Sequence, residues 1–152
     1  MTGKKILMGI GSELRGDDAI GNRIAVEFKA FGKTGWISLP CETVPENFAG
    51  VVEREKPLFL VIVDAANMNL APGEFRLLPK KKLNSIVFGT HGMPLKHLVA
   101  RLEKSAQKTL FIGVQPENTG LSETLSPALE KAKQKLLEII SKEKWSQLEK
   151  LP

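Results

Sequence analysis

The chain has 152 residues, of which 42% are hydrophobic and 26% charged, and this composition is typical of a globular domain with a full-sized core. The formal net charge is +5, but the basic residues are scattered, Tyr is absent and aromatic residues make up only 6%, which argues against nucleic-acid binding. No apolar run approaches the roughly 18 residues that cross a bilayer, and the N-terminus lacks the apolar stretch of a secretory signal. We therefore expect no membrane insertion. The single Cys41 cannot form an internal disulfide, which fits a cytoplasmic location.

Strands and helices alternate in the first half of the chain. The first predicted helix carries Ile20, Ile24 and Phe28 on one face at i, i+4 spacing. The stretch PLFLVIVD is apolar almost throughout, as is typical of a strand buried on both faces. The sequence predicts strands at 4–10, 35–39 and 57–64, and helices at 19–30 and 45–56.

The second half continues the alternation. A Pro72-Gly73 turn precedes a short additional strand at 74–78. A helix at 94–105, a buried strand at 109–114 and a long C-terminal helix within 125–148 follow. Strands alternating with helices indicate βαβ units, so we predict one α/β domain, 1–152, with a mainly parallel sheet covered by helices on both faces.

The polar residues of interest follow the predicted strands. Ligands of parallel sheets bind at the carboxyl ends of the strands. The segments at these ends read GSELRGDD, PCETVPEN, DAANMN and QPENTG, and THGMP lies just before a helix. We therefore place the functional site among these segments.

The first of these segments, within GIGSELRGDDAIG, is glycine-rich but does not suit a phosphate. Leu14 occupies the third glycine position of a dinucleotide fingerprint, and two carboxylates end the loop. The glycines permit a tight backbone path instead. One of the two acids is expected to cap the helix that begins at residue 19, with Asp17 as the first candidate, while the other faces the cleft.

Asp64 and His91 are further candidates. Asp64 stands at the predicted end of the most hydrophobic strand, where α/β enzymes place site residues, although an Asx turn is an alternative. His91 lies near a predicted helix N-terminus, which favours the neutral imidazole that binds metals; a surface-loop histidine is the alternative. His97 falls inside that helix and is read as structural or surface. Two carboxylates and a histidine suit a divalent ion such as nickel or zinc.

Cys41 offers a different chemistry. A thiol after a strand could form a nucleophilic dyad with His91. A lone Cys is more often a small packed residue, and no G-x-S-x-G elbow is present. The roles of Cys41 and of its neighbour Glu42 stay open.

Four motifs together resemble one family. GIGSELRGDDAIG, LFLVIVDAANMNLAPGEFRLL, GTHGMPL and FIGVQPENTGLSETLSP occur in the order found in the nickel–iron hydrogenase maturation endopeptidases, and the resemblance runs from about Lys5 to about Lys135. Within the family, the motifs PEN at Pro45–Asn47 and THGMPL most resemble those of the branch that processes formate-hydrogenlyase-type, energy-converting hydrogenases. The sequence also differs from the family pattern. Ser12 stands where the family usually has Asn, and Cys41 and Glu42 stand where many relatives have Gly.

The resemblance implies a fold, a reaction and a site. The fold is a three-layer α/β/α sandwich. The enzyme removes a short C-terminal extension from a hydrogenase large-subunit precursor after nickel insertion. Asp18, Asp64 and His91 match the metal-binding positions of the family and are the predicted metal ligands and catalytic residues.

Two mechanisms and two other functions stay open at this stage. The nickel could belong to the precursor, or the protease could hold its own divalent ion and use Asp17 or Glu42 as a base. The chain could instead be a non-proteolytic nickel-dependent assembly chaperone for the same precursor, or a small-molecule-binding α/β domain. The sequence does not indicate the oligomeric state.

Overall fold

The computed structural model describes residues 4–88 and 95–152, which form a sheet flanked by helices. The strands are β1 (Lys5–Ile10), β2 (Trp36–Glu42), β3 (Phe59–Asn67), β4 (Phe75–Leu77), β5 (Val87–Phe88) and β6 (Lys108–Val114). The helices are α1 (Ile20–Phe31), α2 (Ala49–Glu55), α3 (Leu95–Leu102) and α4 (Pro127–Ser141). Short 3₁₀ turns cover Gly16–Ala19, Pro45–Phe48, Lys80–Lys82 and Trp145–Gln147.

The sheet is mixed but mainly parallel. Its order is β2-β1-β3-β6-β4, with β5 paired to the end of β3. The first four of these strands are parallel, while β4 runs antiparallel to β6, and β5 antiparallel to β3. Val63 of β3 is aligned with Gly9 of β1 and Ile112 of β6, so the three central strands reach the same edge together. The loops that follow them therefore meet at that edge.

Side-chain alternation along the central strands produces two cores. In β3, Val61, Val63 and Ala65 join α1 and α4 in one core, whereas Leu60, Ile62 and Ala66 join α2 and α3 in the other. Helices thus cover both faces of the sheet. The predicted α/β fold with three layers is confirmed.

The C-terminal helix lies within the predicted range 125–148 but does not fill it. It ends at Ser141 instead of running toward residue 148, because Glu143 adopts a left-handed backbone with φ of 53°. The amide of Lys144 then donates to the carbonyl of Ile139 at 2.8 Å, which closes the helix end. Asn or Gly usually provides this conformation, so the sequence carried no stop signal.

The residues after α4 return to the sheet. Trp145 stacks on Phe59, with ring centroids 5.7 Å apart. Farther on, the Leu77 amide donates to the Glu149 carbonyl at 2.8 Å, and the Leu151 amide donates to the Leu77 carbonyl at 2.9 Å. This segment covers the outer edge of β4. Among the described helices, none is long and apolar enough to span a membrane.

Candidate active site

The first loop follows β1 and folds back tightly on itself. Gly11 has φ of 148°, and a Cβ at this position would lie 1.8 Å from the carbonyl oxygen of Asp18. Only glycine fits so close an approach. The glycine therefore lets the backbone of the loop pass against the 3₁₀ turn Gly16–Ala19, which holds both acids.

Asp18 is buried and faces a cavity. Its side chain is 1% exposed, and its Oδ2 accepts a hydrogen bond of 2.8 Å from the amide of Ser12. Its Oδ1 is buried and accepts no hydrogen bond from the part of the chain that the structure describes. A buried carboxylate oxygen without a donor is unfavourable unless a cation or a proton meets it. The predicted orientation of Asp18 toward the cleft agrees with this placement.

Asp17 does not do what the sequence suggested. No side-chain cap is found at the start of the 3₁₀ turn or of α1. Instead, Asp17 Oδ2 accepts from the amides of Glu117 (2.9 Å) and Asn118 (3.0 Å), and the carboxylate also accepts from the amide (2.7 Å) and hydroxyl (2.8 Å) of Ser126. The prediction of a cap for α1 was wrong, because four donors from 100 residues farther along the chain compete for the same carboxylate. Asp17 joins the first loop to the segment between β6 and α4.

Asp64 lies inside β3 instead of at its end. The strand continues to Asn67, and Asp64 is aligned with Gly113 of β6 and completely buried. Ladder pairing at this position excludes the Asx-turn alternative. By alternation with Ile62 and Ala66, Asp64 belongs to the sheet face that α2 and α3 cover. A fully buried carboxylate at this edge is suited to a functional role.

His91 belongs to the stretch 89–94, which lies outside the described residues, so its role stays a prediction. His97 is exposed on α3, in agreement with its interpretation as a surface residue. Within 4–88 and 95–152, no three His, Cys, Asp or Glu side chains are grouped so that they could hold a metal ion. His91, the third predicted ligand, lies outside these ranges.

A cavity of about 450 Å³ opens beside Asp18. Its walls come from the first loop, the end of β3, β5 and the segment after β6, and include Arg15, Asp18, Ala65, Phe88, Gln115 and Glu117. The sequence predicted this location, because the first loop and the segments after β3 and β6 are three of those it placed at the carboxyl edge. The contribution of β5 was not predicted, since two residues carry no periodic signal.

Gln115 is a positioning residue that sequence reasoning missed. Its Oε1 accepts hydrogen bonds from the amides of Met68 (2.7 Å) and Leu70 (3.2 Å). This side chain fixes the loop that leaves β3 beside the cavity. Gln115 begins the QPENTG segment that the sequence placed at the carboxyl edge, but nothing in the sequence indicated which groups it contacts.

Cys41 is a packed residue. It is 1% exposed, and burial, with a smaller contribution from the Glu46 carboxylate, raises the pKa of its thiol from 9.0 to about 12. The nucleophile is the thiolate, so this environment opposes the dyad alternative. Glu42 is exposed, and its backbone is fixed to the first loop because the Gly11 amide donates to its carbonyl at 2.8 Å.

Fold and site together define an α/β protein with a buried acid at a cavity on the carboxyl edge of its parallel strands. A family model described as hydrogenase maturation protease, HycI, matches residues 42–143. The chain is also 31% identical over 136 residues to the hydrogenase 3 maturation protease of Escherichia coli K12, covering 86% of this chain and 87% of the relative.

Solved structures agree with the sequence matches. The solution structure of an endopeptidase HycI from Escherichia coli has a TM-score of 0.85 and 26% identity, covering 98% of this chain and 97% of the other. The crystal structure of a NiFe hydrogenase maturation protease HycI from Thermococcus kodakarensis KOD1 has a TM-score of 0.81 and 33% identity, covering 91% and 90%. The chain belongs to the hydrogenase maturation protease family and is an endopeptidase.

The family predicted from the four motifs is thus confirmed, and so is the branch, because the similarity is to hydrogenase 3 proteases. Membership of a protease family favours neither the chaperone nor the small-molecule alternative.

Proposed function

We propose that this endopeptidase removes the C-terminal extension of a nickel–iron hydrogenase large-subunit precursor after nickel has been inserted. Asp18, Asp64 and His91 complete the coordination of nickel that the precursor carries. The metal is part of the substrate and reports that insertion has occurred. The proposal names the reaction and the metal contact for a chain that belongs to the hydrogenase maturation protease family.

The observation that supports the proposal is the different hydrogen bonding of the two carboxylate oxygens of Asp18. One oxygen is anchored by the Ser12 amide, and the other is buried at the cavity without a hydrogen-bond donor from the described residues. An oxygen held in this way fits a cation that arrives with another molecule, since carboxylate and imidazole groups suit divalent transition metals. Docking through the metal would also place the bond to be cut next to the cavity.

In the alternative mechanism, the protease holds its own divalent ion and Asp17 or Glu42 is the base. The positions of these two residues do not support it. Asp17 accepts four hydrogen bonds and is not part of the cavity wall. The exposed Glu42 is not part of the wall formed by described residues either. A base must reach the water that it activates. We therefore favour the mechanism in which the precursor supplies the nickel.

Cleavage of purified precursor tests the nickel requirement. We expect mass spectrometry to show the released tail with nickel-loaded precursor and no release with nickel-free precursor. Equal cleavage of the two precursors would contradict nickel recognition. The protease should also keep its activity after treatment with EDTA and removal of the chelator, whereas a protease with a resident metal would lose it.

Variants test the three predicted ligands. Asp18→Asn, Asp64→Asn and His91→Ala should each abolish tail release and weaken retention of nickel-loaded precursor on the immobilised protease. His97→Ala is the matched control, because His97 is exposed on α3, and it should behave as wild type. Normal cleavage by all three ligand variants would show that the site lies elsewhere.

A further inference from the structure

Apolar side chains are exposed around the cavity that holds Asp18. Six large apolar residues are exposed in the described ranges. Four of them lie in segments at the carboxyl edge of the parallel strands: Leu14, Val44, Val87 and Leu121. A single exposed apolar residue is ordinary, but a group at one edge indicates an interaction surface.

Leu14 and Leu121, here called the rim leucines, are the clearest members. Leu121 is 90% exposed and Leu14 is 61% exposed. Leu14 directly precedes Arg15, and Leu121 follows Thr119 by two residues; both Arg15 and Thr119 line the cavity. The rim leucines are therefore continuous with the proposed active site.

Backbone contacts hold the two loops together. The Ser122 amide donates to the Leu14 carbonyl at 3.0 Å, and the Gly16 amide donates to the Ser122 carbonyl at 2.9 Å. Within the second loop, the Gly120 amide donates to the side-chain Oδ1 of Asn118 at 2.9 Å. None of these bonds uses a leucine side chain. The loops therefore present the rim leucines in a fixed arrangement to which those side chains contribute little.

We propose that the rim leucines form a docking surface for the polypeptide of the hydrogenase precursor, contacting an apolar segment next to the cleaved bond. The inference rests on the proposed function and names the surface through which that substrate binds. The proposed substrate is a precursor protein whose C-terminal segment must lie at the cavity, and preorganised apolar side chains at the rim of a site provide affinity at small entropic cost. The nickel contact then supplies selectivity and the rim supplies binding.

Steady-state cleavage of nickel-loaded precursor tests this surface. The double variant Leu14→Ser/Leu121→Ser should raise KM about tenfold and leave kcat unchanged, because the lost contacts are the same in the ground state and the transition state. Val26→Ser is the matched control, since Val26 is 48% exposed on α1 and outside the cavity wall, and it should leave both constants unchanged. Circular dichroism and thermal melting check that each variant is folded.

A second substitution guards against a folding defect in the double variant. Leu121→Lys alone, at the more exposed position, should also raise KM, as the double variant does. An unchanged KM in folded rim variants, or a fall in kcat alone, would overturn the docking surface. Failure of wild type to release the tail would instead overturn the proposed function, so the two failures are distinguishable.

Discussion

At the scale of single residues, Asp17 and Asp18 are adjacent and equally buried but have opposite surroundings. Each is 1% exposed, yet four donors surround the Asp17 carboxylate, while one oxygen of Asp18 has no donor among the described residues. Buried charge is stabilising only where it is hydrogen-bonded. Asp17 therefore stabilises the folded protein, whereas Asp18 destabilises it.

This contrast predicts opposite effects of the same substitution. Asp17→Asn should lower the free energy of unfolding by about 2–3 kcal/mol, because an amide cannot accept from all four donors. Asp18→Asn should raise it by about 1 kcal/mol, because the buried charge is removed while an acceptor for Ser12 remains. Urea denaturation measures both values, and equal signs for the two variants would contradict the assignment.

Cys41 provides a prediction about reactivity. Because burial raises the pKa of the Cys41 thiol to about 12, almost none of it is ionised at pH 8 in the folded protein. Ellman's reagent should therefore label Cys41 at pH 8 only after unfolding, and Cys41→Ala should release the precursor tail at the wild-type rate. Rapid labelling of the folded protein, or inactivity of the folded variant, would restore the nucleophilic alternative.

Part of the site could be predicted from the sequence, because it depends on the geometry of neighbouring residues. Consecutive residues point in different directions, so one acid of the pair was expected to face the cleft, and Asp18 borders the cavity. The partners of Asp17 could not be predicted, because Glu117 and Ser126 lie 100 residues or more away. The loop contacts of Gln115 could not be predicted either, because Met68 and Leu70 lie 47 and 45 residues away in the sequence.

At the scale of elements, hydrophobic patterns predicted the helices and most strands but not where they end. The apolar period placed α1 and the central strands within a few residues, because burial on the sheet imposes it. Several ends were missed by a few residues, and two of them have a clear structural cause. β3 continues past Asp64 because β5 and β6 pair with it. α4 ends at Ser141 because Glu143 adopts a left-handed backbone conformation, which a glutamate in the sequence does not predict.

The turn after α4 carries a prediction of its own. Trp145 packs against Phe59 and lies 6.4 Å from Trp36 between ring centroids. Trp145→Ala should lower the free energy of unfolding by about 2 kcal/mol, less than for a fully buried tryptophan because the side chain is only partly buried. Chemical denaturation measures the change. The exposed Gln147→Ala in the same 3₁₀ turn is the control, and equal losses for both would contradict the packing role.

At the scale of the whole molecule, the two cores share the central strands. Alternate residues of β3 enter opposite cores, so neither core can form without the sheet. We therefore propose that 1–152 is one cooperative unit. Fluorescence of Trp36 and Trp145 reports on the core of α1 and α4, and labelling of Cys41 reports on the other. Urea should give coincident midpoints, whereas separate midpoints would indicate independent units.

The two adjacent acids also differ in what their loss would mean inside a cell. A protein weakened at Asp17 spends more time unfolded and is removed by quality-control proteases, so maturation fails through scarcity. A protein altered at Asp18 keeps its fold and accumulates at normal or higher abundance while maturation still fails. Two missense changes one codon apart would thus produce the same metabolic defect, yet an immunoblot would tell them apart.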